Sequence, residues 1–104
     1  MSWSIDSCPI EGRITIKGKF VTEAAFEFSR TYRKLLPHLV GGTMVVHMQE
    51  VEHIDTTALG ILLVLHKDAA YRCTRVSLID CRKEVSDVLE LANLGKLLTI
   101  TTLQ

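Results

Sequence analysis

Val51-Glu52-His53-Ile54-Asp55-Thr56-Thr57-Ala58-Leu59-Gly60 is the stretch on which the fold turns, because three cap-forming residues, Asp55, Thr56 and Thr57, separate one apolar run from a longer one. Asp and Thr side chains accept hydrogen bonds from the first amides of a helix, which have no partner inside it. The run that follows, residues 58–70, is too long and too rich in Leu for a strand, and it predicts a helix. Before the caps, residues 44–48 are short and apolar apart from His47, with β-branched Val45 and Val46, which predicts a buried central strand. Glu50 and Glu52 then predict a loop between strand and helix. An acidic residue and two hydroxyls are thereby placed at a helix N-terminus, where unpaired N–H groups and the local dipole favour an added phosphate.

Working outward, residues 13–20 alternate, with Ile14 and Ile16 separated by Thr15, and predict a half-buried strand whose end Gly18 marks. Thr22 is placed as an N-cap with Glu23 in the first turn, and Ala25, Phe26, Phe28, Tyr32, Leu35 and Leu36 recur at helical spacing until Pro37. Gly41 and Gly42 predict a turn. Downstream, residues 75–80 read as another buried strand, and residues 86–94 as a helix through Val88, Leu89, Leu91 and Ala92, capped by Gly95. Residues 97–102 read as a last strand, and a short strand is expected near residues 3–5. This alternation predicts an α/β domain spanning residues 1–104, with a mixed, mostly parallel central sheet and packed helices.

The composition narrows the function. A chain of 104 residues, 47% hydrophobic and 23% charged, has the size and make-up of one globular unit. Twelve basic and twelve acidic side chains cancel, with no dense Lys/Arg block, so a protein partner is expected and nucleic acid is not. The longest apolar run, residues 58–65, is eight residues and includes Gly60, whereas a membrane-spanning helix needs roughly 20, so no membrane insertion is expected. Cys8, Cys73 and Cys81 are odd in number and lack a Cys-x-x-Cys spacing, and residues 1–10 carry no secretory pattern, which together predict a cytoplasmic location. His38, His47, His53 and His66 have no mutual metal-ligand spacing, no Gly-rich phosphate loop occurs, and no nucleophile and base pair stands out. No metal, no cofactor and no enzymatic turnover are expected. The oligomeric state stays open.

Residues 54–60 resemble the central signature of the STAS (anti-sigma-factor antagonist) family: an apolar residue, Asp, Ser or Thr, Ser or Thr, Gly or Ala, Leu, Gly. The resemblance extends to residues 14–20, 76–80 and 88–98, nearly the whole chain, and is closest to single-domain bacterial antagonists. It implies the STAS arrangement of the α/β sheet and a role as a partner-switching regulator of signal transduction and transcription. Thr56, the hydroxyl after the Asp, is then the phospho-acceptor, with Thr57 as the fallback and Asp55 as the acidic neighbour. The implied partners are a serine/threonine kinase of the GHKL type or an anti-sigma factor, bound while Thr56 is unmodified, and a PP2C-type phosphatase that resets the state. The implied partner face is Asp55, Thr56, Thr57, Ala58, Leu59, Leu62 and Leu63.

Two positions depart from the family pattern: Val21 and His47 stand where members often carry acidic or amide residues. Three plainer or rival readings stand beside this one. The Asp-Thr-Thr triplet alone is explained by helix capping. Leucines at helical spacing are more often core than interface, although apolar residues at nearly every position of 58–65 exceed one buried stripe. STAS domains also serve as accessory subunits clamping the ATPase of ABC-type lipid transporters, and in that case the Thr56 face is a permanent contact.

Overall fold

The computed structural model describes residues 3–103. Five strands and three helices follow one another as β1 (Trp3–Cys8), β2 (Arg13–Phe20), α1 (Thr22–Leu35), β3 (Thr43–Ile54), α2 (Thr56–Tyr71), β4 (Arg75–Cys81), α3 (Lys83–Leu91) and β5 (Thr99–Thr102), with single 3-10 turns at Leu36–His38 and Leu94–Lys96. The strands lie side by side in chain order, β1 antiparallel to β2 and every later pair parallel. Each parallel crossover moves one strand in the same direction. Because such crossovers share one hand, all three helices are delivered to the same face of the sheet.

Burial follows from that topology. Ile14, Ile16, Met44, Val46, Met48, Val76 and Leu78 point under the helices and are buried, while Thr15, Val45, His47, Ser77 and Ile79 on the other face stay half-exposed. Phe28 of α1 packs its ring edge-on against Phe20 of β2 at 5.4 Å and meets Tyr32 of its own helix at 5.6 Å. Tyr32 Oη donates to Asp68 Oδ2 at 2.8 Å, tying α1 to α2. Burial, reinforced by that carboxylate, raises the Tyr32 pKa.

The central strand is longer than the sequence suggests. The expected loop at Glu50 and Glu52 is strand: β3 runs 12 residues, and two irregularities insert an extra residue each against β2. Each bulge flips the alternation, so Met48, Val51 and Ile54, three apart, all face the core. Arg82 Nε donates to the Gln49 carbonyl at 3.1 Å, satisfying a backbone oxygen at the first bulge. A similar irregularity in β4, with Asp80 at φ 58°, turns Cys81 into the core. Burial pushes the Cys81 thiol up to about 11, with the Asp80 charge adding to it. A raised thiol pKa favours the fold below the ordinary value, and that contribution is lost as pH climbs through about 11.

Other boundaries move for local reasons. Gly18 lies inside β2 with φ 85°, at a bulge rather than at the strand end. Thr22 is the first helical residue, not the cap; Val21 holds the cap position and offers no side-chain acceptor. The third helix starts three residues earlier than its apolar spacing implies and ends at Leu91, where Asn93 (φ 60°), not Gly95, takes the left-handed turn. Leu94 and Leu98 close the bottom of the core around the second 3-10 turn, leaving only Thr99–Thr102 as strand.

Candidate functional site

The two bulges of β3 bring its end level with the end of β2. Phe20 pairs with Ile54, and the Asp55 amide donates to the Phe20 carbonyl at 3.3 Å as the last rung. Both strands then turn straight into helices, so the N-termini of α1 and α2 lie side by side at the C-terminal edge of the sheet. Each carries the partial positive charge of its unpaired amides.

Asp55 joins them. Its Oδ1 accepts from the Ala58 amide at 2.9 Å, which caps α2. Its Oδ2 accepts from the Thr22 amide at 3.1 Å and the Thr22 hydroxyl at 3.3 Å, which caps α1 from a position 33 residues away. One carboxylate therefore serves two helix starts. Val21, which cannot cap α1 itself, makes this second role necessary. The Thr22 hydroxyl also reaches Thr57 Oγ1 at 3.4 Å, drawing the half-buried Thr57 into the same cluster.

Thr56 is different. It is exposed at the first position of α2, and its hydroxyl meets no hydrogen-bond partner among the described residues. Asp55 precedes it and Glu23 lies in the adjoining first turn of α1, while neither first turn holds an arginine. A phosphate there would sit next to the Asp55 carboxylate, with no arginine in either first turn to meet it.

The expected partner face divides on packing. Asp55, Thr57 and Leu59 are half-buried and Leu63 is exposed, but Ala58 and Leu62 are wholly buried. Their place in the face is corrected: one turn apart on α2 and in phase with Leu65 and Ala69, they point at the sheet. The outward side of α2 is Thr56, Gly60, Leu63 and Lys67, with Val64 on the flank toward α1. Thr22 is the site residue that sequence reasoning placed wrongly, and Gly60 is the outward one it passed over. The parallel pairing of β2 with β3 was the signal that set Thr22 beside Asp55. No helix among the described residues is long and apolar enough to cross a membrane.

Known proteins resemble this arrangement. The family model described as "Mlab, STAS domain" matches residues 3–99. A STAS-domain containing protein of Pseudomonas aeruginosa (strain UCBPP-PA14) is 30% identical over 88 residues, 85% of this chain and 85% of that protein. Among solved structures, the crystal structure of a Thermotoga maritima protein, described as a candidate anti-sigma factor antagonist, is similar with a TM-score of 0.74 at 20% identity, covering 95% of this chain and 85% of that one. An NMR structure of the same protein gives 0.73 at 19% identity, covering 95% and 79%. At those identities the structural likeness speaks for the fold. The family match, which spans β1 through the start of β5, speaks for descent: the chain belongs to the STAS family.

Proposed function

We propose that this chain is a phosphorylation-controlled partner-switching regulator, an anti-sigma-factor antagonist without catalytic activity of its own. Unmodified at Thr56, it binds a serine/threonine kinase or an anti-sigma factor and frees that factor's other client. Phosphate on Thr56 ends the contact, and a PP2C-type phosphatase restores it. The observation that carries this reading is the contrast between two neighbouring hydroxyls. Thr57 is engaged with Thr22, while Thr56 is exposed, unpartnered and set at a helix start that tolerates an anion. The test is the intact mass of the chain after incubation with ATP and its co-purifying kinase. Wild type and Thr57→Ala gain one phosphate and Thr56→Ala gains none; equal labelling of Thr56→Ala sinks the assignment.

Gly60 supports an interface on the same side of α2. It is a helix-interior glycine on the exposed face, and a Cβ built there meets nothing within 4 Å. Alanine would therefore stabilise the isolated chain by about 0.5–1 kcal/mol. That a glycine sits there, one turn from Thr56, fits a partner whose backbone approaches closely. Gly60→Ala is expected to raise Tm by roughly 2–8 °C while weakening capture of the partner. A variant that gains stability and binds as well as wild type removes Gly60 from the interface.

A further inference from the structure

A groove of about 590 Å³ lies far from Thr56. It runs between the second half of α2, the start of β4 and the segment around the second 3-10 turn. Its lining is mixed: Ala69, Val76 and Leu98 lie buried beneath it, Thr74 and Thr99 add hydroxyls, and Ala70 and Leu97 are exposed at its rim. The titratable groups that line it are His66, Arg75 and Lys96, with no carboxylate among the described lining residues; Glu90 lies outside them, against Gly95 at the rim. Arg75 and Lys96 enter no ion pair among the described residues.

Arg75 on β4 and Lys96 beyond α3 come from separate elements, and the fold brings them to the same groove. In a chain of zero formal charge, two exposed cations without ion-pair partners, beside the exposed apolar Ala70 and Leu97, select the occupant. A membrane surface is too flat to reach the floor of a groove. An open-sided rim of exposed residues also encloses a small ligand poorly, since small-molecule sites bury most of the ligand.

We infer that the groove is a second docking site, which takes an acidic segment of a partner protein carrying an apolar anchor. The site works independently of the state of Thr56. His66 stands ten residues from Thr56, about 15 Å along α2, and Ala70 about 21 Å. Both distances exceed the Debye length of about 8 Å at physiological salt, so a phosphate on Thr56 is screened from the groove. One pole can then hold a partner while the other switches.

The test uses the full chain and a short fluorescent peptide of Glu and Leu pairs, with a Lys-for-Glu peptide and anionic vesicles as controls. Anisotropy gives the affinity and amide shifts give the location. The acidic peptide is expected to bind at low salt, with shifts confined to residues 66–76 and 95–100, and to be released as salt approaches about 1 M. Arg75→Glu combined with Lys96→Glu weakens it by about tenfold or more, and so does Ala70→Glu at an exposed position, with Tm held. Thr56→Glu changes it by less than about twofold. The inference is overturned if the charge reversals leave binding intact, if the Lys peptide or the vesicles bind equally well, or if the shifts gather around Thr56. None of these results bears on whether Thr56 accepts phosphate, so the two readings fail separately.

Discussion

Replacing Asp55 with alanine is expected to cost about 2–3 kcal/mol of folding stability, a large fraction of what a domain of this size holds. The estimate has two parts. Loss of an Asp N-cap costs about 1 kcal/mol, here the bond from the Ala58 amide to Oδ1. The bonds from the Thr22 amide and hydroxyl to Oδ2 are charge-assisted but exposed, which places them together near another 1–2 kcal/mol. Since 1 kcal/mol moves Tm by about 4–8 °C in a domain of this length, the melt should fall by roughly 10–20 °C.

Asp55→Asn separates the two roles. Its carbonyl oxygen still accepts from Ala58, but its amide nitrogen cannot accept from Thr22, so about half the loss should return. Thr22→Ala removes only the hydroxyl bond and should cost less than about 1 kcal/mol. Thermal melts of the three variants, read in order, check the bridge. If Asp55→Ala melts within about 2 °C of wild type, the carboxylate does not hold the helix starts together.

Much of this was legible because it is local. Ile14 and Ile16 alternate as a strand facing one core must, and Phe28, Tyr32 and Leu35 recur at helical spacing, so β2 and α1 declared themselves. The end of β3 did not, since its bulges place Met48, Val51 and Ile54 three apart and the polar residues between them read as loop. The start of α3 was missed because Lys83 and Glu84 are exposed and Arg82 supplies no side-chain cap. Leu62 was misplaced because a run apolar at almost every position hides its own phase; only packing shows that Leu62 faces in and Leu63 faces out.

The same division runs through the site. Asp55 capping α2 is written within four residues and could be read directly. Asp55 capping α1 depends on a strand register and could not. The residues' own chemistry does not separate Thr56 from Thr57, which only the family resemblance ranked as acceptor and fallback. A hydroxyl 35 residues upstream of Thr57 tells them apart.

Thr56→Glu is expected to weaken the kinase-type or anti-sigma partner by at least about tenfold, and true phosphorylation by a few hundredfold, about 3–4 kcal/mol. The physical cause is desolvation. An exposed anion at the first position of α2 is harmless in the free chain, where the helix dipole favours it by about 0.3–1 kcal/mol. Covered by a partner's surface it must shed water, with Asp55 adjacent and no arginine in either first turn to compensate. Glutamate carries one charge where phosphate carries about −1.5 to −2, so the mimic should show a smaller part of the loss. The fold should be spared, with Tm equal to wild type or slightly higher. Thr56→Gln, similar in size and neutral, separates charge from bulk and should bind within a few-fold of wild type. Calorimetric titration against the captured partner measures all three. If Thr56→Glu binds as tightly as Thr56→Gln, charge is not the gate; if the captured partner is an ATPase held equally by every variant, the Thr56 face is a fixed clamp and the switching reading fails.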